Sequence, residues 1–156
     1  MKGQVVLALA LLGVIPPPVA AGRPAQATKE PLTVAVRGRA VCLDEGGRPA
    51  PQACAGEGPR WGFASAEGRL YLFLPTDPLT AMFTDPRVRE RELQITARPH
   101  PPNRVEIIKI QSVRGGKLHD LYYFCDVCEI TAYAPGPCPC CYADFEFKET
   151  PESSNE

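Results

Sequence analysis

From Leu32 to Leu43 the chain alternates apolar and polar residues early on and is rich in β-formers, which predicts a long first strand. Gly38 lies inside it as a bulge or bend point. Asp44 to Pro59 carries glycines and prolines throughout and reads as a loop. Trp61-Gly-Phe63-Ala64 and Arg69 to Leu74 flank Ser65-Ala-Glu-Gly68, which makes a hairpin. Asp77-Pro78 opens a short helix, because aspartate accepts bonds from free amides and proline suits the first helical position. Leu79, Met82 and Phe83 supply its buried face, and it ends before Pro86. The charged run Arg87 to Glu92 is expected on solvated strand surface. Two further strands, Glu92 to Ala97 and Val105 to Ile110, form a second hairpin around Pro99 to Asn103.

The order strand, strand, strand, short helix, strand, strand resembles the OB-fold, a five-stranded Greek-key barrel with a helix between its third and fourth strands. The resemblance covers Leu32 to about Val113 and rests on element order. It implies that the second and third strands can stack ligands. Trp61 and Phe63 share one strand face, as do Tyr71 and Phe73, so these four form a candidate ligand-binding face. The competing reading, that one of these pairs belongs to the core, fits an acidic chain better.

After the turn Arg114-Gly-Gly116, Leu121-Tyr-Tyr-Phe124 leads directly into Cys125-Asp-Val-Cys128. Cys138-Pro-Cys140-Cys141 follows, with Pro135-Gly136-Pro137 in the gap. Two thiolates on one tight turn can share a metal ion, and a second such turn completes a tetrahedron of sulfurs. The arrangement resembles a zinc ribbon or rubredoxin-like knuckle module, closed by a last strand around Phe145-Glu-Phe147. The resemblance implies Cys125, Cys128, Cys138 and Cys141 as ligands. Cys140 could replace Cys138 or Cys141 as a ligand, stay free, or pair elsewhere. Such modules commonly place glycine after a knuckle's second cysteine; Glu129 and Tyr142 stand there in this chain. Zinc suits four sulfurs, iron is an alternative, and copper(I) accepts a subset. Four protein ligands leave no open position, so the site reads as structural. So few aliphatic residues surround these cysteines that the segment needs such a staple to fold. Two disulfides without metal, or a redox-active pair, are the competing readings of the cluster. A c-type haem is excluded because no histidine follows either pair. His119 and His100 read as surface histidines.

Composition adds the setting. Met1-Lys2, the apolar run Val5 to Ile15 and small-residue sites after Ala21 or Ala27 read as a secretory signal peptide, placing the mature protein outside the cell or in the periplasm. Cutting after Ala27 removes Lys2 and Arg23 and no acid, so a chain of net charge −1 becomes more acidic. A nucleic-acid partner would call for a clustered basic face, which is absent from the sequence. No second apolar segment is long enough to span a membrane. In an oxidising compartment Cys42 and Cys54, at opposite ends of the first long loop, are expected to form a disulfide. The odd total of 7 cysteines leaves at least one outside any intrachain pairing. Two histidines and dispersed acids are poor material for acid–base chemistry, so no enzymatic activity is expected.

The expected organisation is a signal peptide over 1–27, a linker over 28–31, an OB-like β-barrel over 32–113, a four-cysteine ribbon over 114–148 and a disordered acidic tail over 149–156. The expected fold is mainly β. The favoured function is a metal-stabilised binding or accessory module of the cell envelope, acting on an envelope protein or small ligand. A thiol-based carrier of copper(I) or zinc, and a disulfide-stapled scaffold without metal, are the alternatives.

Overall fold

Strand β1 (Val34–Leu43) follows its alternation until Gly38, where it changes neighbour. Val34 to Gly38 pair with β4 (Leu93–His100), and Gly38 to Leu43 pair with β2 (Arg60–Ser65), both antiparallel. Gly38 therefore faces Leu93 on one side and Ser65 on the other. A Cβ built on it would lie 2.0 Å from the Ala64 carbonyl oxygen, so only glycine permits this double contact. The register of β1 is unbroken at Gly38; the irregularity in this part of the sheet falls between Thr96 and Ala97 of β4 instead.

The computed structural model describes residues 32–55 and 60–152, and the expected signal peptide and linker lie outside them. β3 (Leu70–Phe73) hairpins onto β2, and β5 (Arg104–Arg114) hairpins onto β4. A parallel pairing of Leu72 and Phe73 with Arg104 and Val105 joins β3 to β5 and closes a five-stranded barrel. The closed barrel, and helical structure between its third and fourth strands, are as the sequence leads one to expect.

That helical structure differs in detail. A 3-10 segment spans Pro78–Thr84 and a single α-turn, α1, spans Pro86–Arg89. Two Asp-Pro pairs explain the split. Asp77 accepts from the Leu79 amide and Asp85 from the Arg87 amide, so each aspartate starts its own segment and a proline follows at once. The charged run Arg87 to Glu92 is thus a turn of helix and its exit, not strand surface, and Val88 within it is fully buried.

Met82 and Phe83 drive into the barrel, where Phe83 stacks on Phe73 (centroids 5.5 Å) and tilts against Trp61 (5.9 Å). Phe63, Leu93 and Ile95 complete this core at zero exposure. Asp77 straps the segment to the barrel, accepting the Ile107 amide at 2.6 Å. Burial, against the two amide bonds, pushes its carboxyl up from the ordinary range. Among the described residues no helix is long and apolar enough to cross a membrane.

Beyond the barrel the sheet continues. Gly115 and Gly116, both at positive φ (55° and 78°), turn β5 into β6 (Lys117–Cys125). β7 (Ile130–Ala132) takes up the same edge of β6 further along, and β8 (Glu146–Pro151) runs antiparallel along the other edge. The expected tail therefore starts later than Glu149. Glu149 to Pro151 finish β8, and Glu149 is held by Arg91 at 3.0 Å and Arg114 at 3.3 Å. Acidic composition suggested disorder, but these acids meet bases brought from α1's exit and β5. Residues 153–156 lie outside the described residues.

Candidate metal centre

β6 ends in Cys125, and the chain turns through Asp126 to Glu129 before β7 starts opposite Cys125 at Ile130. The second turn is a miniature copy. Pro137 bridges to Asp144, the Cys138 amide donates to the Ala143 carbonyl at 2.8 Å, and the Tyr142 amide donates to the Cys138 carbonyl at 2.9 Å. Glu129 (φ 53°) and Tyr142 (φ 60°) occupy the left-handed region. The backbone conformation that glycine usually supplies in such turns is therefore present without glycine, held against a steric cost of roughly 1–2 kcal/mol per residue.

The two turns bring Cys125, Cys128, Cys138 and Cys141 together, with all four sulfurs within 4.8 Å of one another. Cys125 and Cys141 approach to 3.5 Å. A disulfide needs about 2.05 Å. Four sulfurs at about 2.3 Å from a central ion stand about 3.8 Å apart. The separations fit a shared ion, and the donor set fits a soft or borderline cation.

The electrostatics are graded from inside to outside. Cys125 and Cys138 are buried, whereas Cys128 and Cys141 are half-buried. The amides of Cys141 and Cys140 point at the Cys138 sulfur and, against burial, lower its pKa to about 7. Cys125 likewise receives the amides of Cys128 and Val127, but burial and the thiols of Cys141 and Cys138 leave it raised. Cys128 is pushed well up, first by the neighbouring Cys140 thiol and then by burial and the other cysteines. Thiolates this close cannot all ionise on their own, and a divalent cation at the centre removes that penalty.

The module is anchored to the barrel through a buried link. Tyr123 of β6 is almost wholly buried and donates its hydroxyl to Asp85 at 2.9 Å. The same carboxylate caps α1 and pairs with Arg87 at 2.8 Å. Burial alone would raise the Asp85 carboxyl; Arg87 and the Tyr123 hydroxyl outweigh it and hold the group below the ordinary range. Arg87 and Arg91 lie over the Phe147 ring of β8 at 4.8 and 5.7 Å.

The other candidates separate cleanly. Cys42 and Cys54 are joined in a disulfide with Cα atoms 5.4 Å apart. Cys140 is exposed beside the cluster. His119 contacts the Lys117 carbonyl and His100 pairs with Glu106, so neither reaches the sulfurs. The aromatic ligand face is overturned for three of its members: Trp61, Phe63 and Phe73 pack in the core, and only Tyr71 is partly exposed, under Arg69. The inward face of β2 and the end of β3 are consumed by Phe83, a packing demand that strand-face spacing does not reveal.

A concave surface lies elsewhere. A groove of about 910 Å³ runs between the helical segment and strands β5 to β8, with Leu79, Ile108, Tyr122, Phe124 and Tyr133 among its lining. Ile108 and Tyr133 are exposed within it. Most of its charges are matched internally: Lys109 pairs with Asp120 (2.8 Å) and Glu152 (3.0 Å), and Lys148 with Glu146 (2.8 Å), while the exposed carboxylate of Asp126 lies at its edge. Sequence reasoning missed this groove because its residues come from the helical segment and four strands.

Comparison with protein-family models, with curated proteins and with solved structures gave no match to this chain.

Proposed function

We propose that the four-cysteine cluster holds a structural zinc ion and that the protein is an exported binding or accessory module of the cell envelope. The observation that carries the metal reading is the convergence of four sulfurs from two turns at ion-sharing distances. Zinc is favoured over iron and copper(I) because four sulfurs in a redox-free tetrahedral site are its ordinary environment. In this reading the ribbon is zinc-ribbon-like, and the barrel, with its parallel closure of β3 on β5 and its helical insert, is OB-like.

The ion's task is mechanical. It fastens the Cys125–Cys128 turn, and residues within and beside that turn, Phe124, Asp126, Thr131 and Tyr133, form one wall of the groove. A groove with an apolar floor and mostly paired charges suits a largely apolar ligand or segment. The signal-like first residues support export, as does the Cys42–Cys54 bridge.

A metal carrier is the second reading, favoured by the exposed thiol of Cys140. The two separate under a competing chelator followed by circular dichroism and tryptophan fluorescence. A structural ion leaves slowly and takes ribbon structure with it. A carrier's ion leaves readily from a protein whose spectra do not change.

A further inference from the structure

Away from the cysteine turns, the barrel holds a second concavity. A pocket of about 410 Å³ opens at the end of the barrel where β2 begins, β3 ends and β5 begins, a volume within the range of small-molecule sites. Its apolar lining includes Leu43, Trp61, Leu72, Phe73 and Leu74. Arg60 and Arg104 stand in the same lining, and no carboxylate does among the described residues.

Register explains how two different strands supply these bases. Arg60 pairs with Leu43 and precedes Trp61, a core residue; Arg104 pairs with Leu72 and precedes Val105, also a core residue. Alternation along a strand therefore turns both arginines away from the core. Each is fastened by a backbone bond. Nη2 of Arg60 donates to the Asp44 carbonyl at 2.7 Å, and Nη1 of Arg104 donates to the Phe73 carbonyl at 2.8 Å. A guanidinium is a planar fork of several N–H donors, so each keeps donors beyond that bond. Other arginines of the chain engage carboxylates: Arg48 pairs with Asp44, Arg87 with Asp85 and Arg98 with Glu106. Among the described residues Arg60 and Arg104 have no such partner, so the pocket combines an apolar wall with two anchored, uncompensated cations.

We propose that this pocket binds a small amphiphilic carboxylate, its apolar body against Trp61 and the leucines and its carboxylate on the guanidiniums of Arg60 and Arg104. The guanidinium fork matches carboxylate geometry, and a bond between two charged groups is the strong kind. An uncharged apolar molecule would leave both cations unmatched, and a bare inorganic anion would leave the apolar wall unused. No residue of the cysteine turns lines the pocket, so metal content does not bear on its occupancy.

Trp61 is the chain's one tryptophan and lies in this lining, so its fluorescence reports binding. The full chain is titrated with octanoate, with octanamide, which has the same apolar body without the charge, and with inorganic phosphate. The expected result is a saturable fluorescence change with octanoate at or below about 1 mM, with octanamide and phosphate at least tenfold weaker. Arg60→Gln and Arg104→Gln, each with its urea midpoint measured, should each weaken octanoate at least tenfold. Arg104 also bonds to β3; should its variant not fold, salt decides in the unaltered protein, where raising chloride from about 0.05 to about 0.5 M should weaken octanoate and not octanamide. Equal binding of octanoate and octanamide, phosphate as tight as octanoate, no fluorescence response, an octanoate affinity indifferent to salt, or unchanged affinity in the folded arginine variants overturns the proposal.

Discussion

Tyr123→Phe removes one hydroxyl and nothing else from the link between ribbon and barrel. The ring stays in its buried place against Phe147, 5.6 Å away between centroids, so no cavity forms. What is lost is a hydrogen bond to a carboxylate whose side chain is 5% exposed. Bonds to charged groups contribute about 1.5–3 kcal/mol. Asp85 keeps the Arg87 guanidinium and its cap on α1, which places the expected loss near the middle, about 2 kcal/mol. The sign of the pH dependence follows from the lowered pKa of Asp85. A carboxyl depressed in the folded state stabilises above its unfolded value, about 3.9, and that contribution is lost as pH falls through the folded value. The variant's Asp85 is less depressed, so the gap between wild type and variant is full at pH 7 and narrows below about pH 4. Urea unfolding at fixed excess zinc, from pH 7 to pH 3, measures both quantities. A gap below about 0.5 kcal/mol at neutral pH, or one that does not change on acidification, refutes the assignment of this bond as the anchor.

Three other substitutions probe separate claims. Gly38→Ala places a methyl against the Ala64 carbonyl and should cost 3 kcal/mol or more, on the order of the upper end for overpacking, read as a lowered urea midpoint; a loss under about 1 kcal/mol contradicts the close approach of β1 to β2. Tyr142→Gly relieves a left-handed residue that is 79% exposed. It should stabilise the metal-bound protein by roughly 0.5–1 kcal/mol, with any destabilisation counting against the strained turn. Joint replacement of Cys42 and Cys54 by alanine removes a cross-link spanning 12 residues and should lower stability by about 3 kcal/mol; an unchanged midpoint shows that the bridge does not constrain the loop.

The barrel's strands were legible because their alternation and turn residues agree: Ser65 to Gly68 and Pro99 to Asn103 each separate two β-rich runs. The helical insert was legible at its start, where Asp77-Pro78 has a local signature, but not at its end. A second Asp-Pro restarts the helix at Asp85, and Pro86 taken alone reads as a terminator. The convergence of the four cysteines was legible from spacing, since two thiols on one tight turn are a local property. Glu129 and Tyr142 weakened that resemblance although their backbone does what glycine would do. Side-chain identity does not report a φ that the turn and its neighbouring strands impose. The aromatic face failed for the opposite reason. Trp61, Phe63 and Phe73 share faces as read, but which face points inward depended on Phe83 arriving from another element. The Asp85–Tyr123 link and the groove depend on contacts between distant segments, which no local pattern encodes.

The central claim is that one ion joins the two cysteine turns. Elemental analysis of the protein recovered from its native compartment, combined with thiol titration before and after chelation, tests it most directly. The account predicts about one zinc per chain, with the four ligand thiols reacting only once the metal is removed. Metal-free protein whose cluster cysteines are joined to one another, or react at once without a chelator, would contradict it.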